Sequence, residues 1–420
     1  MAAAGQATRG ETGHLDVVVV GAGPAGIAAA LTAREHGLAV LMVDRAVFPR
    51  DKTCGDGLTT QALRLLEGLD VDVPALPGYE PVHETVCVSP SGHEVVLPLP
   101  GTGAYSGVIT RLELDAALVV RAREAGVELR EGAELVGLTE TATGIRAELA
   151  DGTQLDAGHV IAADGHWSRV RRLREPDAPA DLGTWHAFRQ YFRGVDERRQ
   201  FVLFERDLLP GYAWVFPLPD GRANVGFGVL RGAGVTGKKL KQLWPDLLAR
   251  PSMRRVLGAG ATPEDAHRAW PIPASYDPNR LTDGRVLYVG DAAGVVDPMT
   301  GEGIAQALET GILAGRAIAA GGGTTTIAAT YRRAVARSLG RDLRFAHTLQ
   351  HVLRTPLGAR LAVRAAGFTP WTRRNFARWL FEDYPRAVVL TPDRWHRRMF
   401  TAPGAFQPDA ERPDSSRSGS

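Results

Sequence analysis

The chain has 420 residues, 44% apolar and 23% charged, an ordinary globular composition, and its formal net charge of +2 gives nucleic acid no electrostatic case as the main partner. Its two cysteines, Cys54 and Cys87, are too few for a disulfide framework; no Cys/His cluster suggests a metal, and a reducing cytosol is the default. Residues 1–13 lack the basic start and apolar run of a secretory signal, no apolar stretch is long enough to span a bilayer, and the length suggests two or three domains.

Residues 16–20 are a β-branched run behind one acid and read as a strand buried on both faces. A helix over 25–36, closed by Gly37, and a second buried strand over 38–43, ending at Asp44, complete a βαβ unit. Residues 111–124 carry Leu112, Leu114, Leu118 and Val120 at helical spacing, with Gly126 as the stop. Strands are expected at 127–130 and 134–138, a hairpin at 145–149 and 153–155 around Asp151-Gly152, and a separate short strand at 160–163. From about 184 to 229, aromatic and β-branched residues between Pro and Gly turns predict an antiparallel sheet. A helix near 240–249, a buried strand over 284–290 and a long helix over 303–320 follow. Between 331 and 400 arginine far outweighs the acids Asp342, Glu382, Asp383 and Asp393. That predicts either a solvated helical face or a surface that docks on anionic lipid.

Gly21-Ala-Gly23-Pro-Ala25-Gly26 follows a strand and opens a helix. The first Gly permits the tight turn, the second lets backbone approach a pyrophosphate, and the third lets helix and strand pack closely; the phosphates then meet the helix N-terminus. Asp44, with Arg45 beside it, stands where an acid accepts from ribose hydroxyls. Asp164-Gly165, with Ser168 and Arg171, fits the DGxxSxxR pattern of flavin hydroxylase-like proteins. Gly290-Asp291 looks like the segment whose acid holds the ribityl chain of FAD. Gly301, Gly303 and Ile304 then stand where that fold brings a loop and helix start against the isoalloxazine ring. Three ordered motifs point to FAD rather than NAD. The implied fold is α/β with an α+β insert: a Rossmann-type FAD-binding domain of the p-hydroxybenzoate hydroxylase-like superfamily, an antiparallel-sheet substrate domain and a helical C-terminal region. The domains should be discontinuous: FAD-binding at 14–80, 105–178 and 273–335; substrate at 81–104 and 179–272; basic and helical at 336–402. The Pro/Ser/Asp/Arg tail at 403–420 is expected to be disordered.

The segment from Pro49 through Cys54-Gly55 to Leu58 resembles the Cys-Gly-rich segment of geranylgeranyl reductases. Tyr212-Ala-Trp214-Val-Phe216-Pro217, followed by Gly226-Phe-Gly228, is similar to that family's YxWxFP…GxG signature. Among members the chain is similar to bacterial menaquinone reductases. The resemblance implies that FAD donates hydride to alkenes of a polyprenyl lipid or quinone held near the signature. Tyr212, Trp214 and Phe216 alternate, so a strand would point all three to one face. An apolar wall suits an alkene without a polar handle; sheet core is the alternative. By family position Cys54 lies near the flavin, as proton donor or tuning thiol, or as a small buried hydrophobe. Arg111 is a cofactor contact or a surface arginine at a helix start. Cys87 reads as core, and no role is given to His166 or Trp167.

A flavin monooxygenase or halogenase shares the FAD motifs. Residues 211–217 lie in register with the halogenase GWxWxIP pattern, but Tyr212 replaces a Trp and Phe216 an Ile. No lysine lies between Lys52 and Lys238 to capture hypohalous acid, whereas a plain hydroxylase needs none. A third reading is a non-catalytic membrane-associated flavoprotein. With no second dinucleotide fingerprint, NAD(P)H, a ferredoxin and a quinol all stay open as electron donor. The expected location is cytoplasmic, peripheral on the inner face of the membrane.

Overall fold

The β-branched run forms the strand Leu15–Val20, with Val17, Val18 and Val19 fully buried. The structure, a computed structural model, describes residues 14–179, 181–232, 237–395, 399 and 401–407. Leu15–Val20 runs parallel to Val40–Asp44 on one side and to Gln154–Ala162 on the other. The sheet continues to Glu128–Glu131 at one edge and through Val286–Tyr288 to Thr282–Asp283 at the other. Helix Pro24–Glu35 starts directly after the first strand and packs along Ile304–Ala319.

Two expected strands are one. Gln154–Ala162 begins as the antiparallel partner of Ile145–Leu149, then continues as the parallel partner of Leu15–Val20. Its first half alternates exposed and buried residues, while residues 159–162 are all buried. The change of pattern from one-faced to two-faced burial made one strand look like two. The strand expected over 284–290 is confined to Val286–Tyr288, and Gly290–Ala293 turns as a short 3₁₀ helix.

The second sheet has the order Glu94–Pro98, Glu84–Val88, Gln200–Leu203, Tyr212–Leu218, Arg222–Leu230, Trp185–Arg193, with Thr262–Pro263 and Arg268–Ile272 both beside the last. It is antiparallel except where Gln200–Leu203 lies parallel to Glu84–Val88. Those two strands come from separate excursions of the chain, so no hairpin dictates their direction. Its core includes Phe188, Phe201, Phe227 and Trp244, with Phe188 and Phe227 stacked at 4.9 Å.

Helices Arg341–Leu353, Pro356–Ala366 and Pro370–Leu380 lie beyond both sheets. Thr355 and Thr369 cap the last two through their hydroxyls. Val363, Ala366 and Ala377 pack against Cys87, Val95 and Leu97 of the second sheet. This region is not simply a solvated basic face. Arg378 and Arg386 are 4% and 2% exposed, and they pair with Asp383 and Asp297 because a buried guanidinium requires a counter-ion. Arg397 and Arg398 lie outside the described residues.

The tail is ordered at its start, contrary to expectation. Ala405 bridges Ala104, the Pro403 carbonyl accepts from Arg64 at 2.8 Å, and Ala405 is 1% exposed. Burying Ala405 and giving backbone groups partners holds residues 403–407. The rest of the expected disorder, 408–420, and the N-terminal 1–13 lie outside the described residues. Among the described residues no helix is long and apolar enough to cross a membrane.

Candidate functional site

The glycine turn opens into a cavity of about 530 Å³ between the two sheets. Gly26 sets how the turn closes: a Cβ there would lie 1.8 Å from the Gly21 carbonyl oxygen, so only glycine lets the helix begin so close to the strand. Gly23, the N-cap of helix Pro24–Glu35, offers no side-chain cap. The helix's first N–H groups therefore need a partner, and Gly23 and Ala25 both line the cavity. Beside them, Arg111 places Nε and Nη2 on Asp115 at 2.7 Å, and Arg50 joins the same carboxylate at 2.7 Å. Both guanidiniums come within 3.7 Å of where a Gly23 Cβ would be. Free helix N–H groups and two arginines form a cradle for a pyrophosphate.

Asp44 accepts from the backbone N–H of Ala22 at 2.7 Å and of Ala46 at 2.8 Å, so its carboxylate is fixed at the cavity edge next to Arg45. Asp164 Oδ2 accepts from Arg169 and Val170 N–H, and Ser168 caps Arg169–Arg174. Among the described residues, Asp164 Oδ1 and both ring nitrogens of His166 are buried without a hydrogen-bond partner. Burial raises the Asp164 pKa and lowers that of His166. Arg171 bonds to the Ala292 carbonyl at 2.8 Å and stacks on Tyr288 at 3.8 Å, tying this turn to the Gly290-Asp291 loop. Lys52 reaches Asp291 at 3.2 Å. Orphaned buried acceptors, an uncapped helix start and the arginine pair fit FAD.

Cys54 stands in the same wall. Burial first, then the charge of Asp56, pushes its pKa up, so the group is a neutral thiol. Asp56 is the hub behind it. Its carboxylate accepts from Tyr191 Oη at 2.6 Å, Asn224 Nδ2 at 2.8 Å and Arg111 N–H at 3.3 Å. Burial lifts its pKa to about 6 against those donors. Asn224 also donates to the Cys54 carbonyl at 2.9 Å and accepts from Trp214 Nε1 at 3.0 Å. One amide thus fixes the cysteine loop and the aromatic strand together.

Tyr212, Trp214 and Phe216 follow one another at 6.2 and 6.1 Å between ring centroids and line the cavity with Gly228. Pro217 and Gly226 do not line it. A Cβ at Gly226 would lie 2.2 Å from the Trp214 ring, so this glycine makes room for the indole. Of the predicted cofactor residues, Gly21, Gly23, Ala25, Asp44, Arg45, Cys54, Gly55, Arg111, Asp164, Asp291, Gly301, Gly303 and Ile304 line the cavity, while Gly26 stands behind it.

A second cavity of about 220 Å³ adjoins the first. Gly57, Tyr212, Phe216, Met299, Thr300 and Glu302 belong to both walls. Beyond them the wall is mostly apolar: Val202 and Phe204 from the second sheet, and Leu349, Val363, Phe376 and Trp379 from the C-terminal helices. Cys87 is buried in a core cluster, as expected, and also lines this wall; burial pushes its thiol up to about 12. Glu302, Asn224, Arg50 and the helical roof were not singled out from sequence. The one usable signal was an acid flanked by two glycines, Gly301-Glu302-Gly303.

Residues 14–337 match the FAD binding domain family. A menaquinone reductase of Mycolicibacterium smegmatis is 34% identical over 333 residues, covering 74% of this chain and 77% of that protein. The digeranylgeranylglycerophospholipid reductase 1 of Methanopyrus kandleri is 35% identical over 316 residues, covering 72% and 80%. Among solved structures, a geranylgeranyl bacteriochlorophyll reductase-like protein of Thermoplasma acidophilum superposes with a TM-score of 0.76 over 91% of this chain and 99% of its own, at 22% identity.

Proposed function

The chain belongs to the geranylgeranyl reductase family of flavoproteins, and from that premise we propose that it reduces carbon–carbon double bonds in a polyprenyl chain, either a menaquinone side chain or a geranylgeranyl group. The observation that carries the reading is the second cavity. It prolongs the FAD chamber past Tyr212 and Phe216 into an apolar space of about 220 Å³, the environment an isoprene unit prefers to water. FAD, when bound and reduced, supplies hydride. Gly57 and Phe216 stand in the wall common to both cavities, a Cβ on Gly57 falling 3.2 Å from the Phe216 ring, and that wall positions an alkene against the chamber. The cofactor contacts proposed for the residues named above follow from the cradle, and Cys54 is proposed as the thiol that addresses the cofactor. The reducing equivalents come from NAD(P)H, a ferredoxin or a quinol.

Membrane contact is part of the same proposal. Val352 of the second cavity's wall is 51% exposed; Leu357, Leu361 and Trp371 on the neighbouring helices are 63%, 55% and 67% exposed, and Phe368 in the turn between those helices is 83% exposed. Arg354, Arg360, Arg364 and Arg373 accompany them. Apolar residues among arginines suit a surface that rests on an anionic leaflet while a lipid tail enters. The test is anaerobic. The purified protein is reduced with dithionite, given menaquinone or geranylgeranyl diphosphate, and the extracted lipid is weighed by mass spectrometry. A gain of two hydrogens per double bond supports the proposal. An unchanged lipid there, with oxygen consumption stimulated by an aromatic panel in a separate aerobic assay, refutes it.

A further inference from the structure

We infer that Glu302 is a catalytic residue, the acid that protonates the alkene carbon opposite the one that takes hydride; the inference rests on the prenyl-reductase reading. Six residues belong to both cavity walls, and three of them carry an ionisable or hydroxyl group: Tyr212, Thr300 and Glu302. The other two are committed. Tyr212 Oη donates to the Thr300 carbonyl, and Thr300 Oγ1 donates to Asp297 at 3.1 Å. Glu302 is held differently. Its Oε1 accepts the N–H groups of Ile304 at 2.9 Å and Ala305 at 3.3 Å. Among the described residues nothing donates to Oε2, the oxygen free to carry a proton. Cys54 lines only the first cavity, so the thiol addresses the cofactor and the carboxyl addresses the chain.

The surroundings keep that proton in place. Glu302, Glu382 and Asp297 lie together at the start of helix Ile304–Ala319. Arg386 answers Asp297 at 3.3 Å and Glu382 at 3.5 Å. Glu382 further accepts from Gln306 at 2.9 Å and Thr59 at 3.1 Å. Among the described residues Arg386 thus touches Asp297 and Glu382 but not Glu302, which is left without a cationic partner. Burial and then the charge of Glu382 push Glu302 up to about 8, against the two backbone N–H groups that lower it. Glu382 itself is raised to about 7, by burial first. Tyr212, whose pKa burial also raises, faces the same cluster. FAD in the first cavity removes further water and strengthens this bias.

In the step itself, the alkene's π pair takes the proton of Glu302 as hydride supplied by FAD completes the second C–H bond. The Glu302 O–H bond breaks, its electron pair stays on the carboxylate, and the chain gains two hydrogens. Water returns the proton before the next turnover.

The test uses the FAD-loaded enzyme with Glu302→Gln and Glu302→Asp. Glu302→Gln should keep FAD content and menaquinone affinity, while re-oxidation of the reduced enzyme by menaquinone slows by about 100-fold or more. Glu302→Asp should fall between. The wild-type single-turnover rate should drop about tenfold per pH unit above about 8. Infrared spectra of the substrate-free enzyme should show a protonated carboxyl band that vanishes above that pH and is absent from Glu302→Gln. A Glu302→Gln rate within about threefold of wild type, a wild-type rate level through pH 9, or no such band overturns the assignment. Wild-type enzyme that reduces no polyprenyl chain overturns the reading beneath it instead, and the infrared band then still reports whether Glu302 holds a proton.

Discussion

Two side chains on the wall of the first cavity, Cys54 and Glu302, carry the proposed chemistry, and each is kept neutral by enclosure. Cys54→Ala should leave FAD bound, judged by the flavin absorbance of the purified protein, and lower prenyl-reducing turnover at least about tenfold. Unchanged turnover removes the thiol from the mechanism. Asp56 supports both the cysteine loop and Trp214 through Asn224. Asp56→Asn replaces one of the two accepting oxygens with an NH2 that faces a donor. It should cost about 1–3 kcal/mol in chemical denaturation. Glu302 also leaves a mark on stability. Its folded pKa is raised from 4.5 to about 8, so the folded state favours the acid form. The stabilisation is complete below about 4.5 and is lost as pH rises through about 8. FAD-free wild type should therefore lose more stability between pH 6 and pH 9 than Glu302→Gln does. Equal losses would mean that the carboxyl titrates normally.

At the level of strands and helices, much was legible because burial leaves a period in the sequence. The all-apolar run 17–20, the glycine turn and the alternating aromatics at 212–216 each have one physical reading, and the structure forms the corresponding strands and helix start. Other features left no period to read. Apolar residues at helical spacing look the same whether they face a packed core or a void, so Leu349, Val363 and Trp379 gave no hint of a cavity. Arg378 and Arg386 read as surface charge because their partners, Asp383 and Asp297, are specified only by the fold. Glu302 leaves no separate signal, because the glycines on either side of it already account for the segment as a flavin loop. Two substitutions test the packing. Gly226→Ala drives a methyl into the Trp214 indole and the Phe188 carbonyl, each 2.2 Å away. It should destabilise by about 1–3 kcal/mol in thermal or chemical unfolding. Ala366→Trp should fill part of the second cavity and raise KM for long-chain substrates more than for a single-isoprene analogue. An equal effect on both would mean that the chain does not lie there.

Across the whole molecule the chain leaves the first sheet twice to build the second, through Glu84–Pro98 and again from Trp185 to Ile272. The FAD chamber lies in the seam between them. The exposed apolar cluster lies on the C-terminal helices. Phe368→Asp with Trp371→Asp should therefore weaken co-sedimentation with anionic vesicles while leaving turnover of detergent-dispersed menaquinone intact. Undiminished sedimentation would place any membrane contact elsewhere. The roof of the second cavity has a further consequence. The FAD binding domain match ends at residue 337, and the roof helices begin at Arg341. Every residue lining the first cavity precedes 338, whereas Leu349, Val363, Phe376 and Trp379 of the second cavity's wall follow it, so the two cavities are encoded in partly different stretches of the chain. Substitutions among those roof residues can therefore reshape the second cavity without replacing any residue that lines the first.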